Sequence, residues 1–320
     1  MKVESKEAAV NVHHSVELLT IGVDAHSQRI DNFLITHWKG VPKSRIYRLI
    51  RKGEIRVNKK RVKPETRLLE GDLLRLPPVR MADSSTVTRP SEPVLAGIRN
   101  SILFEDEDML IINKPQGIAV HGGTGQKTGV IEALRWLRME EGGDTFLELA
   151  HRIDKETSGC LVICKNAKFL KLVQEAFKTR RVAKVYLALV HGKWPRSLKE
   201  INAPLTKAII NSDEKVVKVS EDGKPSTTQF KILREFGDAT LLEAMPLTGR
   251  MHQIRVHCQH AGHPIVGDPK YTLAGAGNPL REHRLCLHAS SVTFELPDGK
   301  GQINVLAPIN PAMAAIIKSF

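Results

Sequence analysis

Residues 150–159 bring together side chains that could perform acid–base or nucleophilic chemistry. They read AHRIDKETSG and lie between an alternating apolar run, residues 146–149, and a continuous apolar run, residues 160–164. The pattern predicts a short polar loop between two strands, where side chains are held firmly and remain accessible. Asp154 is the candidate catalytic carboxylate of this loop. Taken alone, the local pattern fits at least as well a carboxylate that only stabilises its own turn.

A reactive carboxylate needs partners, and other segments of the chain offer them. To stay ionised in a dry pocket it needs a nearby guanidinium, for which Arg250 and Arg255 are candidates. A nucleobase held beside it would need an aromatic platform, and Tyr186 lies in a predicted strand, residues 185–190. Residues 252–261 are predicted to form the helix that carries Arg255. These elements must meet for Asp154 to act.

Other possible reaction centres fit the sequence less well. Ser158 and the four cysteines lack a nucleophile elbow or a paired base, and the glycine-rich residues 117–129 lack the GxxxxGK(S/T) spacing of a nucleotide-phosphate loop. A His/Cys cluster has no zinc-ligand spacing, so no metal is predicted and these histidines are expected to contact nucleic acid or lie in the core. The cluster comprises His252, His257, Cys258, His260 and His263.

Charge and composition limit the class of protein. The chain has 48 Lys and Arg against 35 Asp and Glu, a net charge of +13. A protein this basic usually meets a polyanion, either nucleic acid or an acidic membrane surface. Its longest apolar runs have six residues, far short of the roughly 18 needed to cross a bilayer. With no signal-peptide core and no disulfide framework, the sequence predicts a soluble, cytoplasmic protein.

Most of the positive charge is concentrated in residues 43–63, where ten cations face one anion for a net +9. Ile46, Leu49 and Ile50 predict the buried stripe of a helix with Ser44 as its N-cap and Gly53 as its stop. A hairpin is predicted next. The cations should therefore face solvent, either to contact a phosphate backbone or merely as a solvated surface. They are Lys43, Arg45, Arg48, Arg51, Lys52, Arg56, Lys59, Lys60, Arg61 and Lys63.

Patterning also divides the chain into segments. Residues 1–17 form a polar tail, residues 18–80 a small α/β RNA-binding domain, residues 81–97 a flexible linker, and residues 98–320 a catalytic domain. Many strands and few helices predict an α+β fold for the larger domain, with a mixed, largely antiparallel sheet. Its predicted elements include helices at 130–140, 167–181 and after 311, and strands at 284–289 and 292–296.

Two regions resemble known families. Residues 29–72, which include RKGEIRVNKK, are similar to the ribosomal protein S-four-like RNA-binding domain, a small module that docks on structured RNA. HRIDKETSG at 151–159 resembles the HRLDxxTSG signature of the RluA family of pseudouridine synthases, with Ile153 in place of Leu. The second resemblance extends over about residues 98–300 through NKPQG (113–117), KVYLALVHG (184–192), TGRMHQIRVH (248–257), GHPIVGD (262–268) and LCLHA (285–289).

The second resemblance implies a reaction and roles for the site residues. The N1–C1′ bond of a uridine is broken, the uracil turns, and C5 is joined to C1′, without a cofactor or metal. Whether the carboxylate attacks C1′ or removes a sugar proton is left open. The implied catalytic residues are Asp154, Tyr186, which stacks on the ring, and Arg255, which pairs with the carboxylate. The implied substrate contacts are Arg152, which helps hold the flipped-out state, His151, Arg250 and His252.

Together the resemblances predict an enzyme that modifies 23S rRNA, or a large-subunit precursor, as a cytoplasmic monomer with no membrane partner. Because a nucleotide in a helix must be flipped out at a cost of a few kcal/mol, the basic segment is expected to supply offsetting binding energy. Two alternatives stay open. One is a synthase that acts on tRNA or other rRNA, and the other is a non-catalytic RNA-binding ribosome-assembly factor.

Overall fold

The computed structural model describes residues 16–38, 41, 43–79, 89–122, 128–143, 146–211, 214–272, 284–295 and 301–320. The chain divides into two compact units, residues 1–88 and residues 89–320. Most of the predicted polar tail, residue 80 and residues 81–88 of the predicted linker lie outside the described residues. No helix in the described part of the chain is long and apolar enough to cross a membrane.

The first unit packs two helices on a small antiparallel sheet with strand order β1-β4-β2-β3. A single 3₁₀ turn, Val23–Ala25, follows the first strand. The elements are β1 (Glu17–Thr20), α1 (Ile30–His37), α2 (Lys43–Lys52), β2 (Arg56–Val57), β3 (Lys60–Arg61) and β4 (Leu73–Leu76).

Helix α2 carries the predicted apolar stripe. Ile46, Leu49 and Ile50 are buried in the core of this unit, as predicted. The helix ends before Gly53, whose φ of +72° is a left-handed conformation that glycine adopts without steric cost. The predicted N-cap is wrong, because the helix begins at Lys43 and Ser44 lies in its first turn.

The hairpin between β2 and β3 is also as predicted. Its two connecting residues, Asn58 and Lys59, have φ values of +49° and +67°. Two successive left-handed residues form the tight turn whose twist matches that of the flanking strands. The Asn58 side chain fixes the turn by donating to Asp72 at 2.7 Å and accepting from the Leu73 N–H at 2.9 Å.

The second unit is built around one large sheet. Its helices are α3 (Glu92–Arg99), α4 (Val130–Glu140), α5 (Ala167–Lys178), α6 (Gln253–His260) and α7 (Pro311–Ser319). Its strands are β5 (Ile102–Glu105), β6 (Met109–Lys114), β7 (Glu148–Leu149), β8 (Ser158–Cys164), β9 (Val182–His191), β10 (Glu200–Asn202), β11 (Leu205–Asn211), β12 (Glu214–Val219), β13 (Thr227–Glu235), β14 (Ala239–Pro246), β15 (Leu287–Glu295) and β16 (Gln302–Leu306).

Within the described residues, ten of these strands form one mixed sheet with the order β10-β13-β14-β9-β15-β8-β6-β5. Strand β16 adds to β15, and β7 adds to β8. The pair β8–β15 is parallel, whereas the other pairs are antiparallel. Strands β11 and β12 form a separate antiparallel hairpin. The prediction of an α+β fold with a largely antiparallel sheet is confirmed.

Strand β8 lies at the centre of this unit and is buried over its whole length. Leu161 and Ile163 pack in the core beside α4, whereas Cys160, Val162 and Cys164 pack in the core beside α5. Alternate side chains of a strand point to opposite faces, so a strand covered on both faces needs the continuous apolar run that the sequence shows. The loop that precedes β8 is therefore attached to a rigid element.

Some element predictions are corrected. Helix α3 occupies the end of the predicted flexible linker, because Leu95 and Ile98 are buried against the second unit's core. Helix α5 ends at Lys178, three residues before the predicted end at Arg181. The two strands predicted near the C-terminus are the single strand β15, with a bulge between Ala289 and Ser291. The bulge interrupts the apolar alternation and mimics a strand boundary.

Candidate active site

The loop of residues 150–157 is anchored to β8 by main-chain and side-chain hydrogen bonds. The Ala150 N–H donates to the Val162 carbonyl at 3.1 Å, and the Val162 N–H donates to His151 Nε2 at 3.1 Å. The His151 ring also stacks on Phe177, with centroids 4.7 Å apart. Burial, with a smaller effect from the charge of Lys184, lowers the pKa of His151 to about 3. His151 is thus a neutral acceptor whose Nε2 supports the loop.

Asp154 stands at the centre of this loop. Its carbonyl accepts from the Thr157 N–H at 3.1 Å, which closes a turn. Its side chain is 23% exposed, and Oδ2 lies 3.4 Å from Arg255 Nη1 and 3.8 Å from His252 Nε2. The carboxylate therefore faces two side-chain nitrogens and is partly exposed to solvent.

Arg255 is held in place by a second carboxylate. Its Nε and Nη2 donate to the two oxygens of Asp268 at 2.7 Å each, and both side chains are buried. Burial alone would lower the pKa of Arg255, but the hydrogen bonds and charge of Asp268, with the charge of Asp154, raise it. Two parallel hydrogen bonds fix a guanidinium plane, so Asp268 sets the direction from which Arg255 approaches Asp154.

A fully buried lysine also holds the loop. Lys114 Nζ donates to the carbonyls of Pro115 at 2.8 Å, Ile118 at 2.8 Å and Lys155 at 3.0 Å. Burial lowers the pKa of Lys114 to about 7, against the charges of Glu156 and Asp154. Three carbonyl oxygens match the three N–H groups of an ammonium, and the third belongs to the residue that follows Asp154.

The beginning of β8 is fixed by a buried polar network. Ser158 Oγ donates to His288 Nδ1 at 2.8 Å and accepts from Asn310 Nδ2 at 3.0 Å, while His288 Nε2 donates to the Ala307 carbonyl at 3.0 Å. Gly159 follows with a φ of +108°, and a Cβ there would lie 2.2 Å from the Ala289 carbonyl oxygen. Ser158 is thus a satisfied structural hydroxyl, and only glycine fits next to it.

Tyr186 lies in β9, where Ala289 of β15 and Ala244 of β14 are its register partners. The ring is half-buried between two parts of the core. Burial raises the pKa of Tyr186, and the charge of Asp154 raises it further. The structure therefore brings a neutral tyrosine into the electrostatic field of Asp154. Within the described residues its hydroxyl has no hydrogen-bond partner.

The other predicted substrate contacts differ in exposure and in whether their side chains already have hydrogen-bond partners. Arg152 is exposed, and its side chain makes no hydrogen bond or ion pair with any residue that the structure describes. Arg250 is exposed, and its Nε donates to the Pro225 carbonyl at 3.2 Å. His252 lies beside Asp154, whereas the Nε2 of His151 is occupied by the main chain. Arg152 and His252 are thus the better placed of the four.

The predicted His/Cys cluster is dispersed by the fold. His257 is buried, with Nδ1 at 2.9 Å from Thr228 Oγ1 and Nε2 at 3.1 Å from the Ala203 carbonyl. Cys258 is buried as well, and burial raises the pKa of its thiol. Among the described residues, no group of three or more His, Cys, Asp or Glu side chains could hold a metal ion.

The first unit presents the cationic surface that the sequence predicts. Nine of the ten predicted cations are exposed. Arg45 is the exception, since it is half-buried and its buried Nε has no partner in the described part of the chain. Arg56 is tied to its own hairpin by a bond to the Gly53 carbonyl at 3.1 Å. Surface cations along a helix and a hairpin can each contact a phosphate.

Several residues at the site are not singled out by sequence reasoning. Asp268, Lys114, Tyr271 and His288 act through long-range contacts, and only their inclusion in the quoted family motifs or position beside one marks them. An aspartate after glycine normally indicates a turn, and a lysine beside proline normally indicates an exposed loop. Their burial becomes visible only in the fold.

The fold and this site define the class of protein. The family model described as RNA pseudouridylate synthase matches residues 108–260, and the S4 domain model matches residues 28–74. The chain belongs to the RNA pseudouridylate synthase family and carries an S4 domain, which confirms both predicted resemblances.

Particular relatives cover nearly the whole chain. It is 50% identical over 299 residues to the ribosomal large subunit pseudouridine synthase C of Yersinia pestis, with 92% of each chain covered. It is 48% identical to that of Haemophilus influenzae, with 96% of each chain covered. It is 47% identical to that of Escherichia coli strain K12, with 93% of this chain and 95% of the relative covered.

Solved structures share the fold. The structure titled Human RNA Pseudouridylate Synthase Domain Containing 4 aligns with a TM-score of 0.59 at 25% identity, covering 71% of this chain and 95% of that chain. The structure titled Human RNA Pseudouridylate Synthase Domain Containing 1 aligns with a TM-score of 0.55 at 26% identity, covering 67% of this chain and 86% of that chain. Both similarities agree with the α+β fold described above.

Proposed function

We propose that this chain converts uridines of large-subunit (23S) ribosomal RNA to pseudouridine, with Asp154 as the reacting carboxylate. The observation that carries the proposal is the setting of Asp154, which is partly exposed and lies 3.4 Å from a buried arginine. The names of the relatives supply the substrate class. The reaction is an isomerisation in which no atom or electron is gained or lost, so it consumes no co-substrate, and we propose that it proceeds without a cofactor.

The reaction needs an anionic carboxylate and gives it one of two tasks. The N1–C1′ bond breaks, the C5–C1′ bond forms, the proton on C5 leaves and N1 gains a proton. Asp154 either attacks C1′ to form an ester with the sugar, or removes the 2′ proton to leave a glycal. In both routes the charge on the carboxylate changes, and the fixed guanidinium of Arg255 stabilises the anionic form.

Tyr186 is proposed to hold the uracil. An aromatic face stacks on a base with an energy of about 1–3 kcal/mol, and it does so without selecting an edge. The uracil can therefore rotate while it remains in contact. A neutral hydroxyl can relay the C5 proton only by passing its own proton onward, so stacking is the first role and proton relay the second.

Arg152 is proposed to assist base flipping. A base inside a helix is out of reach of Asp154, and extruding it costs a few kcal/mol of stacking and pairing. The Arg152 guanidinium is exposed two residues before Asp154 and is bound to no described side chain. A planar cation in this position can hydrogen-bond to a phosphate or to the bases left behind. Arg250, which is exposed, and His252, beside Asp154, are proposed as further substrate contacts.

The first unit is proposed to supply affinity rather than chemistry. Residues 18–80 would form the RNA-binding domain, and residues 98–320 together with the rest of α3 the catalytic domain, of a monomer that works in the cytoplasm. Each phosphate contact adds affinity that depends on salt and not on sequence. Selection among uridines is then left to the surfaces around Asp154.

Replacing Asp154 with asparagine tests the proposal. The Asp154→Asn variant keeps the shape of the side chain but can neither attack C1′ nor accept a proton. It should bind ribosomal RNA like the unmodified protein and release no tritium from RNA labelled at uracil C5. Asp222→Asn, at an exposed turn of the same unit, is the matched control and should release tritium normally. Substantial release by Asp154→Asn would refute the assignment.

Mapping pseudouridines in ribosomal RNA tests the substrate. RNA from cells that lack the protein should miss specific pseudouridines in the large subunit, and the intact gene should restore them. Sites missing only from tRNA or from the small subunit would contradict the proposed substrate while leaving the chemistry unaffected.

A further inference from the structure

The side chain of Tyr271 contacts both groups that flank Asp154. Its ring lies under Arg255, with 4.9 Å between the guanidinium carbon and the ring centroid. Its hydroxyl lies 2.6 Å from His252 Nδ1. Tyr271 is only 3% exposed, so it cannot stack on a substrate base, and the reaction described above gives it no task.

The hydrogen bonds of the Tyr271 hydroxyl determine where its proton lies. The Val217 N–H donates to this oxygen at 3.0 Å. Among the described residues, His252 Nδ1 is the one acceptor within hydrogen-bond distance of the hydroxyl. The phenolic proton therefore points to Nδ1, which must be unprotonated to accept it. A neutral His252 then carries its proton on Nε2.

Nε2 is the nitrogen that faces the reactive carboxylate, at 3.8 Å from Asp154 Oδ2. Burial lowers the pKa of His252, and the charges of Arg255 and Lys270 lower it further, against the opposing charges of Asp154 and Asp268. The neutral form is thus favoured. The separation is longer than a hydrogen bond, as is common in a site without substrate, and a small displacement would close it.

The main chain also holds His252 in an uncommon conformation. Its φ of +54° and ψ of +19° are left-handed, which costs a non-glycine residue about 1–2 kcal/mol. Helix α6 begins at the next residue, and the Val256 N–H donates to the His252 carbonyl at 3.0 Å. The strained backbone directs the ring to Asp154, and the Tyr271 hydroxyl fixes which nitrogen carries the proton.

We propose that Tyr271 is a positioning residue that holds His252 with its proton on Nε2, so that an N–H donor beside Arg255 faces Asp154 during the reaction. This inference rests on the proposed role of Asp154. Val217 lies in β12, so the β11–β12 hairpin is the support for this arrangement. Movement of the hairpin would remove the Val217 hydrogen bond to the Tyr271 hydroxyl, and His252 would then no longer be held in this orientation.

Tyr271→Phe tests the inference, because it keeps the ring under Arg255 and removes the hydroxyl. Single-turnover tritium release should slow about tenfold or more, with KM and RNA affinity unchanged. Nitrogen NMR of labelled histidine should show His252 protonated at Nε2 in the unmodified protein and as a mixture of tautomers in the variant. An unchanged rate, or a proton on Nδ1 in the unmodified protein, would overturn the inference.

Thr240→Val is the matched control for the loss of a buried hydroxyl. Thr240 Oγ1 also accepts from one main-chain N–H, of Trp194 at 3.0 Å, and donates to one acceptor, the Gly192 carbonyl at 2.7 Å. Thr240→Val should therefore lower thermal stability and leave kcat unchanged. If Tyr271→Phe does not fold, the NMR spectrum of the unmodified protein still shows whether the His252 proton lies on Nε2, as proposed, or on Nδ1, which would overturn the inference.

Variants of His252 supply an independent test. Glutamine can place an N–H near the position of Nε2, whereas asparagine can place one only near Nδ1. His252→Gln should therefore keep more activity than His252→Asn, and it should make Tyr271→Phe harmless in the double variant. Equal activity of the two single variants would contradict the inference. Activity retained in Asp154→Asn would instead refute the proposed function, so the two failures are distinguishable.

Discussion

Arg255 donates its two short hydrogen bonds, at 2.7 Å each, to Asp268, and its approach to Asp154 is the longer one at 3.4 Å. The guanidinium is therefore oriented by Asp268, and it presents one nitrogen to Asp154, the proposed reacting carboxylate. A preorganised donor loses little energy to reorientation when charge develops in the transition state.

Asp268→Asn should release Arg255 from its fixed orientation and so weaken its contact with Asp154. The substitution removes the negative charge that balances buried Arg255, and breaking a buried ion pair costs roughly 3–5 kcal/mol of unfolding free energy. Denaturant unfolding should show this loss, and tritium release should slow because Arg255 is no longer held. Glu235→Gln, which breaks an exposed pair with Arg196, should change both far less. Equal effects of the two substitutions would contradict the assigned role of Asp268.

Lys114→Met should disturb the loop without touching the substrate. The methionine fills a similar volume but removes the lysine's hydrogen bonds to the carbonyls of Pro115, Ile118 and Lys155, which should cost on the order of 3 kcal/mol. The loop carrying Asp154 loses one of the two hydrogen bonds at the Lys155 carbonyl and keeps the other, from the Gly117 N–H at 3.0 Å, so kcat should fall more than RNA affinity. Lys165→Met, which removes a lysine bonded to Glu105 and the Asp106 carbonyl, should lower stability and leave kcat intact. An active Lys114→Met enzyme would show that the loop keeps its position unaided.

His151 should make the second unit sensitive to acid. Its pKa is about 3 in the folded protein against an ordinary 6.5. As the pH falls from 6.5 towards 3, the unfolded chain binds a proton that the folded one does not, so stability is lost at up to about 1.4 kcal/mol per pH unit.

Replacing His151 with glutamine isolates this contribution. Glutamine can accept from the Val162 N–H but does not titrate in this range. His151→Gln should therefore lose less stability than the unmodified protein between pH 7 and pH 5, measured by denaturant unfolding. Other buried histidines titrate in both proteins and cancel in the difference. Parallel pH profiles would refute the prediction.

The cationic surface of α2 should control the salt dependence of RNA binding. Replacing Lys43, Arg48 and Arg51 with alanine should reduce the slope of log affinity against log salt by about 0.7–0.9 for each phosphate that is no longer neutralised. Filter binding across a salt series measures the slope. Lys318→Ala, an exposed cation on α7, should leave the slope unchanged. An unaltered slope in the triple variant would show that this surface does not touch phosphate.

Local sequence patterns predict the helices, turns and strands that are determined by residues close together in the sequence. The apolar stripe of α2, its stop at Gly53 and the following hairpin are decided by residues within a few positions of one another. The run of β8 is equally readable, because burial on both faces demands continuous apolar residues. Asp154 stands out as a polar residue before such a strand, although only the family resemblance gives it a task.

Residues that depend on long-range contacts are not predictable in this way. Lys114 is expected to be exposed until three carbonyls from two segments are placed around it. Asp268 and Tyr271 acquire their roles from Arg255 and His252, which belong to a different element. The family resemblance implies that His151 contacts substrate, and the structure shows its Nε2 accepting from the Val162 N–H. In each case a polar group needs a partner on folding, and at least one partner lies more than ten positions away, beyond the reach of a local pattern: 41 positions for Lys114, 13 for Asp268, 19 for Tyr271 and 11 for His151.

The hydrogen bond between Asn310 and Ser158 joins residues 152 positions apart, and this separation imposes an order on biosynthesis. The loop that carries Asp154 leaves the ribosome well before Ala307 and Asn310 have been added to the chain. Until then, the beginning of β8 lacks a neighbour on which its final position depends. The cationic unit, by contrast, is synthesised first and has a core of its own. A growing chain thus acquires the means to bind RNA before it acquires the means to modify it.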